Sequence, residues 1–255
     1  MTVEKNTGKR RKGIYLLPNL FTTAGLFSGF YAIVSAMSGN FENAAVAIFI
    51  AMIMDGLDGR VARLTNTESE FGVQYDSLSD MVCFGLAPSL VIYEWALRDM
   101  LGDGWIWGKM GWLAAFIYTA GAALRLARFN TQVAVVDKRF FQGLPSPAAA
   151  AVLAGLVWMC SDLGIKGQTL QLPVLILTTL VGILMVSNFR YYSFKDVDFK
   201  NRVSFMKILL VIPLFVFTSI DPPKVLFIVF LIYILSGPVY TLSLLRRKRK
   251  ERLEE

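Results

Sequence analysis

The sequence predicts an all-α, polytopic membrane protein with about eight transmembrane helices. Hydrophobic residues make up 55% of the 255 residues and the mean hydropathy is +0.52, whereas soluble domains are about 45–50% apolar. Apolar runs of about 18 or more residues, long enough to cross a bilayer as helices, recur along the chain. We therefore expect one membrane domain at residues 14–245, between a basic segment at residues 1–13 and a charged tail at residues 246–255.

The first four predicted spans are separated by short polar segments. Pro18 and Asn19 suit the start of the first span, because proline fixes φ at a position where no amide donor is needed. No small-residue cleavage pattern follows this span, so a retained helix is favoured over a signal peptide. A polar turn at residues 65–70 joins the second and third spans, and a glycine-rich loop at residues 98–107 precedes the fourth. These spans cover residues 20–37, 42–63, 71–97 and 108–129.

The last four predicted spans are separated by longer polar and basic segments. Residues 130–145 precede the fifth span, and residues 189–204 lie between the sixth and the seventh. Asp221 and Pro222 predict a turn before the last span, since proline begins helices but does not continue them. These spans cover residues 146–163, 170–188, 205–219 and 224–244.

The basic residues predict the orientation of the chain in its membrane. Eight spans place both termini on one side, and that side carries 22 of the 26 Lys and Arg residues. Because basic loops stay on the cytoplasmic side, both termini are predicted to be cytoplasmic, as in a multi-pass protein of the cell's inner membrane. The opposite side carries Arg98, Lys109, Lys166 and Lys224.

The composition excludes several classes of chemistry. The chain has no histidine, so histidine-based acid–base catalysis and histidine-ligated zinc are excluded, and proton transfer falls mainly to a carboxylate. Cys83 and Cys160 lie far apart in apolar spans without a CxxC motif, which favours buried core thiols. The net charge of +7 is concentrated at helix ends and in short loops. No basic patch with interleaved aromatic residues appears, which argues against nucleic-acid binding.

Four aspartates stand out where the second span ends and the third begins. Asp55 and Asp58 are three residues apart and Asp76 and Asp80 are four apart, so each pair occupies one helix face. Helices joined by a short turn pack antiparallel, which brings the pairs together. Unpaired charges in a bilayer cost about 2.5–3.5 kcal/mol each, and their repulsion adds to this cost. A hard divalent cation such as Mg²⁺, Mn²⁺ or Ca²⁺ would remove both costs. Two ions roughly 3.5–4 Å apart would suit displacement at phosphorus.

Neighbouring residues fit a phosphorylated substrate at these aspartates. Gly59 and Gly72 permit close approach of a ligand, although ordinary helix packing explains them equally well. Arg63 can bind a phosphate with two hydrogen bonds, or extend to the membrane surface as an orienting charge. Asn19 and Thr22 could contact a nucleotide or a metal-bound water. Their simpler interpretation is a helix cap and a helix-internal hydroxyl.

The region from Asp55 to Asp80 resembles the signature of the CDP-alcohol phosphotransferases. That signature reads D-x-x-D-G-x-x-A-R, eight residues, G-x-x-x-D-x-x-x-D, and every fixed position is filled. The segments LPNLFT, DSLSDMVCFGLAPSLV, RLARFN and GLPSPAAA are similar to the phosphatidylserine synthase branch of the family. The resemblance covers about residues 15–190. It implies a six-helix core followed by two C-terminal helices.

The resemblance implies a reaction and roles for the motif residues. The hydroxyl of L-serine would attack the β-phosphorus of CDP-diacylglycerol, giving phosphatidylserine and CMP. Two divalent ions, Mg²⁺ or Mn²⁺ with Ca²⁺ as an alternative, would serve as cofactors in a homodimer among membrane lipids. Asp80 would share the second metal and act as the base. The implied metal ligands are Asp55, Asp58, Asp76 and Asp80, and the implied CMP contacts are Gly59, Ala62, Arg63 and Gly72.

The acceptor site is predicted among basic residues of the cytoplasmic side. Arg125 and Arg128 are three residues apart beside Asn130, and Arg190 and Lys195 follow the sixth span. These side chains could hold the serine carboxylate or a lipid phosphate. They could equally be orienting charges that meet anionic headgroups.

Two competing functions remain open from the sequence. The first is the same reaction with another alcohol: glycerol phosphate, inositol phosphate or choline. The second is a cation channel or transporter in which the carboxylates form the ion path. A channel predicts charges across the whole membrane depth, whereas here they concentrate in the cytoplasmic half, and no internal repeat of the kind found in many transporters is evident.

Overall fold

The computed structural model describes residues 16–67, 69–132, 140–192 and 216–254. In these residues it is a helical protein with one small pair of strands, which confirms the all-α class. The helices are α1 (Leu16–Met37), α2 (Phe41–Thr65), α3 (Glu70–Asp80), α4 (Ala87–Ile92), α5 (Trp105–Gln132), α6 (Ser146–Asp162), α7 (Gln171–Val186) and α8 (Pro222–Glu254).

The third span is one long helical run with changes of pitch. A π-helical segment, Met81–Leu86, joins α3 to α4, and a second one, Tyr93–Leu97, follows α4. A 3₁₀ turn, Arg98–Asp103, then occupies part of the predicted loop. π-Helical turns are rare and occur frequently at functional sites. The first of them begins directly after Asp80, the last aspartate of the predicted cluster.

Several helical runs of the described residues are long and apolar enough to cross a membrane, which indicates an integral membrane protein. The 17-residue helix α6 is shorter, and α2 carries two aspartates and two arginines in its second half. The five long runs are Leu17–Met37, Glu70–Met100, Trp105–Thr131, Gly167–Val186 and Pro222–Leu244.

The last helix is longer than the predicted span at residues 224–244. Helix α8 continues as far as Glu254, so residues 246–254 of the predicted charged tail are helical. The predicted span at 205–219 lies outside the described residues except for its end, where residues 216–220 are helical. The basic segment at residues 1–13 also lies outside them.

The core forms around the alanine-rich helix α6. Residues Ala148–Ala154 of this helix are all buried, and α6 packs against α2 on one side and α8 on the other. Helix α1 packs along α2, and α5 packs against α7. The α5–α7 contact requires glycine, because a Cβ at Gly182 would lie only 2.8 Å from the Cα of Tyr118.

Two short strands, which the sequence patterns did not predict, connect the ends of the helices. Strand β1 (Phe140–Gln142) pairs antiparallel with β2 (Arg190–Tyr192), with Phe141 opposite Tyr191. Tyr191 is fully buried, and its hydroxyl donates a 3.2 Å hydrogen bond to the carbonyl of Ile234 on α8. The strand pair therefore anchors the last helix to the rest of the fold.

Candidate active site

The turn between α2 and α3 returns the chain towards the aspartates of α2. Asn66 ends α2 in the left-handed conformation (φ 50°), and the amide of Thr67 donates a 3.0 Å hydrogen bond to the carbonyl of Ala62. The side chain of Ser69 then caps α3 by accepting a 3.0 Å hydrogen bond from the amide of Gly72. This turn brings the two predicted pairs of aspartates into one region.

Three of the four aspartates converge on a single point. One carboxylate oxygen from each of Asp55, Asp76 and Asp80 can be chosen so that all three lie within 4.8 Å of one another. The three residues are partly buried and line one small cavity together with Asp58. Closely spaced carboxylate oxygens in an apolar surrounding are the donor set that hard divalent cations prefer. The residues present therefore fit a divalent metal.

Asp58 lies in the same cavity with a different partner. Its Oδ2 accepts a 2.7 Å hydrogen bond from the hydroxyl of Thr22 on α1, and both residues are buried. The same hydroxyl lies 3.1 Å from the carbonyl of Pro18, one turn earlier in the helix. Thr22 thus combines the helix-internal bond expected of a threonine with a contact to the acidic cluster.

Helix α1 is also hydrogen-bonded to α3 and to its π-helical extension. The hydroxyl of Ser79 donates a 3.3 Å hydrogen bond to the carbonyl of Thr22, and the thiol of Cys83 donates a 3.2 Å bond to the carbonyl of Gly25. A Cβ at Gly29 would lie 2.8 Å from the Cys83 sulfur, so the helices touch there. Sequence reasoning did not single out Ser79. It follows Asp76 by three residues and so belongs to the same helix face, which is the signal that could have found it.

The residues predicted to contact the nucleotide differ in their surroundings. Asn19 and Gly72 come together, since a Cβ at Gly72 would lie 3.6 Å from the amide oxygen of Asn19. Gly59 has open space where a Cβ would stand, and Ala62 is half-buried. Arg63 is exposed and lines a much larger cavity.

Of the predicted acceptor residues, Arg125 interacts electrostatically with the acidic cluster. Its guanidinium is close enough to Asp80 for a favourable charge interaction, and Nη1 donates a 2.8 Å hydrogen bond to the hydroxyl of Ser146. The Nε atom of Arg125 is buried and has no hydrogen-bond partner among the described residues. This guanidinium therefore retains a donor for a ligand beside Asp80.

The other predicted acceptor residues within the described ranges contact different parts of the fold. The side-chain amide of Asn130 donates a 3.1 Å hydrogen bond to Ser77 on α3, and Arg128 donates one of 3.5 Å to the carbonyl of Ser187. Arg190 is exposed in β2, where its backbone amide bonds the hydroxyl of Thr241. Lys195 lies outside the described residues.

Comparison with known proteins identifies the family. The sequence model of the CDP-alcohol phosphatidyltransferases matches residues 15–188, which include all four aspartates and Arg125. The chain belongs to the CDP-alcohol phosphatidyltransferase family. The resemblance of the aspartate motif to this family is thereby confirmed.

Relatives with the same enzyme name occur in distant organisms. A CDP-diacylglycerol–serine O-phosphatidyltransferase of Helicobacter pylori (strain ATCC 700392 / 26695) is 38% identical over 221 residues, which cover 86% of this chain and 90% of the relative. One from Methanocaldococcus jannaschii is 34% identical over 154 residues, or 60% of this chain and 66% of the relative. One from Saccharomyces cerevisiae is 36% identical over 146 residues, or 52% of this chain and 50% of the relative.

This CDP-alcohol phosphatidyltransferase also contains a large cavity between α2, α6 and α8. Its volume is about 1220 Å³, and its walls are mostly apolar. Among the described residues, Arg60 and Arg63 of α2 are the charged ones that line it. The wall formed by α8 lies beyond the residues that match the family.

Proposed function

We propose that this chain transfers the phosphatidyl group of CDP-diacylglycerol to the hydroxyl of L-serine, giving phosphatidylserine and CMP. The observation that carries the proposal is the convergence of Asp55, Asp76 and Asp80 within a complete family motif. The relatives that bear the name of this activity, one of them similar over 86% of the chain, support serine as the acceptor.

The acidic cluster is proposed to hold the metal cofactor. Asp55, Asp58, Asp76 and Asp80 would bind two divalent ions, Mg²⁺ or Mn²⁺, with Ca²⁺ as an alternative. Bound there, the ions would neutralise the negative charge of the pyrophosphate and polarise its oxygens. Thr22 would hold Asp58 in place through its 2.7 Å hydrogen bond.

Asp80 is proposed as the catalytic base. An alcohol must lose its proton as its oxygen attacks phosphorus, and the chain has no histidine to accept it. A carboxylate oxygen of Asp80 would take the proton of the serine hydroxyl. A new O–P bond to serine would then form while the bond from phosphorus to the CMP oxygen breaks.

Arg125 is proposed to orient the acceptor. Its guanidinium interacts electrostatically with Asp80, is held by Ser146 and keeps a buried donor available. An arginine can bind a carboxylate with two parallel hydrogen bonds, which would present the serine hydroxyl to Asp80. Arg128, Asn130 and Arg190 would supply further polar contacts for serine or for lipid phosphate.

The nucleotide is proposed to lie along α1, α2 and the start of α3. Exposed Gly59 and small Ala62 would leave room for CMP, and Arg63 would contact the diphosphate. The remaining contacts would come from Asn19, Thr22 and Gly72. The site and both termini would face the cytoplasm at the inner membrane, and the enzyme would act as a homodimer.

The test is an acceptor assay on the purified full-length protein with CDP-diacylglycerol and Mg²⁺ or Mn²⁺. Labelled serine should enter lipid in step with CMP release, whereas labelled glycerol phosphate, inositol phosphate and choline should not. Label entering lipid from one of these three but not from serine would overturn the choice of acceptor. CMP release without any acceptor dependence would overturn the transferase reaction itself.

A further inference from the structure

The large cavity between α2, α6 and α8 has the chemistry of an amphiphile site. Two guanidinium groups, those of Arg60 and Arg63, lie along one part of its wall, and both residues are exposed. Most of the remaining wall consists of apolar side chains such as Pro147, Val229 and Phe230. A ligand that fits this wall carries negative charge at one end and hydrocarbon at the other.

The size of the cavity also favours a lipid. Its volume of about 1220 Å³ exceeds the roughly 300–1,000 Å³ that is usual for small-molecule sites. Serine and the CMP moiety are polar, so neither of them accounts for the apolar part of the wall. The lipid substrate of the proposed reaction is the reactant that carries long apolar chains.

The α8 wall of the cavity is fixed in position. The hydroxyl of Tyr233 donates a 3.1 Å hydrogen bond to the carbonyl of Tyr192, and Tyr191 bonds the carbonyl of Ile234. These two bonds join α8 to strand β2 at the level of the cavity. The wall is therefore a built part of the fold and does not depend on a loosely packed helix.

Arg125 interacts electrostatically with both the cavity wall and the acidic cluster. Tyr233, which lines the cavity, is close enough to Arg125 to interact with it electrostatically, and Arg125 in turn interacts with Asp80. Arg63, which follows Asp58 by five residues on α2, lines the same cavity. A lipid here would have its phosphate near the cluster and its chains against α8.

We propose that this cavity holds an acyl chain of the CDP-diacylglycerol substrate. In this arrangement α8 is the surface that selects for chain length, and Arg60 and Arg63 lie beside the lipid phosphate. The inference rests on the proposed function and extends it to a helix that the family match does not include. The occupant of the cavity is the acyl chain of the substrate itself, and not a separate anionic phospholipid of the membrane.

The test narrows the cavity with a bulky residue on α8. Ser236 lines the cavity, whereas its neighbour Leu235 is 56% exposed and does not, so Leu235→Trp is the matched control for Ser236→Trp. KM would be measured for CDP-dioleoylglycerol and for CDP-dioctanoylglycerol in detergent micelles. Val229→Trp, with the exposed Ile228→Trp as its control, repeats the test about two turns away along the helix.

We expect Ser236→Trp to raise KM for the long-chain substrate about tenfold or more, because excluding even two or three methylenes from a buried site has this effect. KM for the short-chain substrate should change by less than about threefold on the same reasoning. Equal effects at both chain lengths, or equal effects in Ser236→Trp and Leu235→Trp, would overturn the proposal. A changed requirement for added anionic phospholipid with an unchanged chain-length preference would also overturn it.

A labelling experiment keeps the proposal testable if the bulky variants do not fold. CDP-diacylglycerol with a photoreactive group near the end of one acyl chain would be bound to the wild-type protein without serine. Cross-links to α8 at residues 229–236 are expected, and their absence alongside cross-links elsewhere would overturn the cavity assignment. Cross-linking needs no turnover, so its result is independent of the acceptor assay. The cavity assignment can therefore fail while the wild-type protein transfers serine, and it can hold while the acceptor assay fails.

Discussion

Thr22 on α1 donates a 2.7 Å hydrogen bond to Asp58 on α2, and the backbone carbonyl of the same threonine accepts a bond from Ser79 on α3. One residue of the first helix therefore contacts both helices that carry the acidic cluster. This arrangement gives α1 a positioning role, because it holds Asp58 relative to Asp76 and Asp80.

Removing the Thr22 hydroxyl tests that positioning role. Thr22→Val should raise the Mg²⁺ or Mn²⁺ concentration needed for half-maximal CMP release about tenfold, since a hydrogen bond to a charged group contributes about 1.5–3 kcal/mol. Thr22→Ser should restore the wild-type requirement. Thr23→Val is the matched control, because the Thr23 hydroxyl bonds the carbonyl of Asn19 and the hydroxyl of Tyr75, and no aspartate of the described residues. An unchanged metal requirement in Thr22→Val would contradict the role.

Asp80→Asn separates binding from catalysis. The variant should still bind CDP-diacylglycerol but lose turnover by at least ~10², because the amide cannot accept the serine proton. Binding is measured by equilibrium dialysis of labelled substrate, and turnover by CMP release. Normal turnover would show that Asp80 is not the base.

Asp55→Asn and Asp76→Asn test the shared metal site. Each variant removes one of the three convergent carboxylates, so each should raise the Mg²⁺ or Mn²⁺ requirement of the reaction. The requirement is read from CMP release across a metal titration. Normal metal dependence in both variants would argue against a shared site.

Arg125 is predicted to act on serine more than on the lipid. Arg125→Gln should raise KM for serine by about tenfold or more, since a charged hydrogen bond contributes about 1.5–3 kcal/mol, with a smaller change in KM for CDP-diacylglycerol. Arg125→Lys should recover only part of the loss, because lysine lacks the planar fork. The exposed Arg98, which pairs with Glu94, provides the control Arg98→Gln. An equal rise in both KM values would indicate a structural role for Arg125.

The fold is tested at the contact between α5 and α7. Gly182→Ala would place a Cβ 2.8 Å from the Cα of Tyr118, so the helices must separate. The free energy of unfolding, followed by thermal unfolding in detergent, should fall by about 1–3 kcal/mol. Gly56→Ala is the control, because a Cβ there meets no atom within 4 Å, and alanine favours a helix by about 1 kcal/mol over glycine. A Gly182→Ala protein as stable as Gly56→Ala would contradict the close approach.

The spacing of the aspartates was sufficient to predict their convergence, because helical periodicity and a short turn leave few other arrangements. In the structure, the carboxylates of Asp55, Asp76 and Asp80 do converge. The partner of Asp58 was not predictable in the same way. A threonine in the second turn of an apolar helix has the same local pattern whether or not another helix supplies a carboxylate. Thr22 was therefore identified only as a candidate with a simpler explanation.

Features that depend on tertiary packing were not evident from sequence patterns. We expected α2 and α3 to pack side by side. Instead, each of these two helices packs more extensively against α1 than against the other. The strands at Phe140–Gln142 and Arg190–Tyr192 are too short for an alternating pattern to indicate them. The cavity is lined by residues of α2, α6 and α8 together, so it depends on the packing of these helices and not on any one segment.

The most direct test of the account is Mn²⁺ binding by the purified protein, followed by the electron paramagnetic resonance signal of the free ion. We expect saturable binding of about two ions per chain, and a marked loss of this binding in the double variant Asp55→Asn/Asp76→Asn. Binding in that variant equal to the wild type, or no saturable binding in an active wild-type protein, would contradict it.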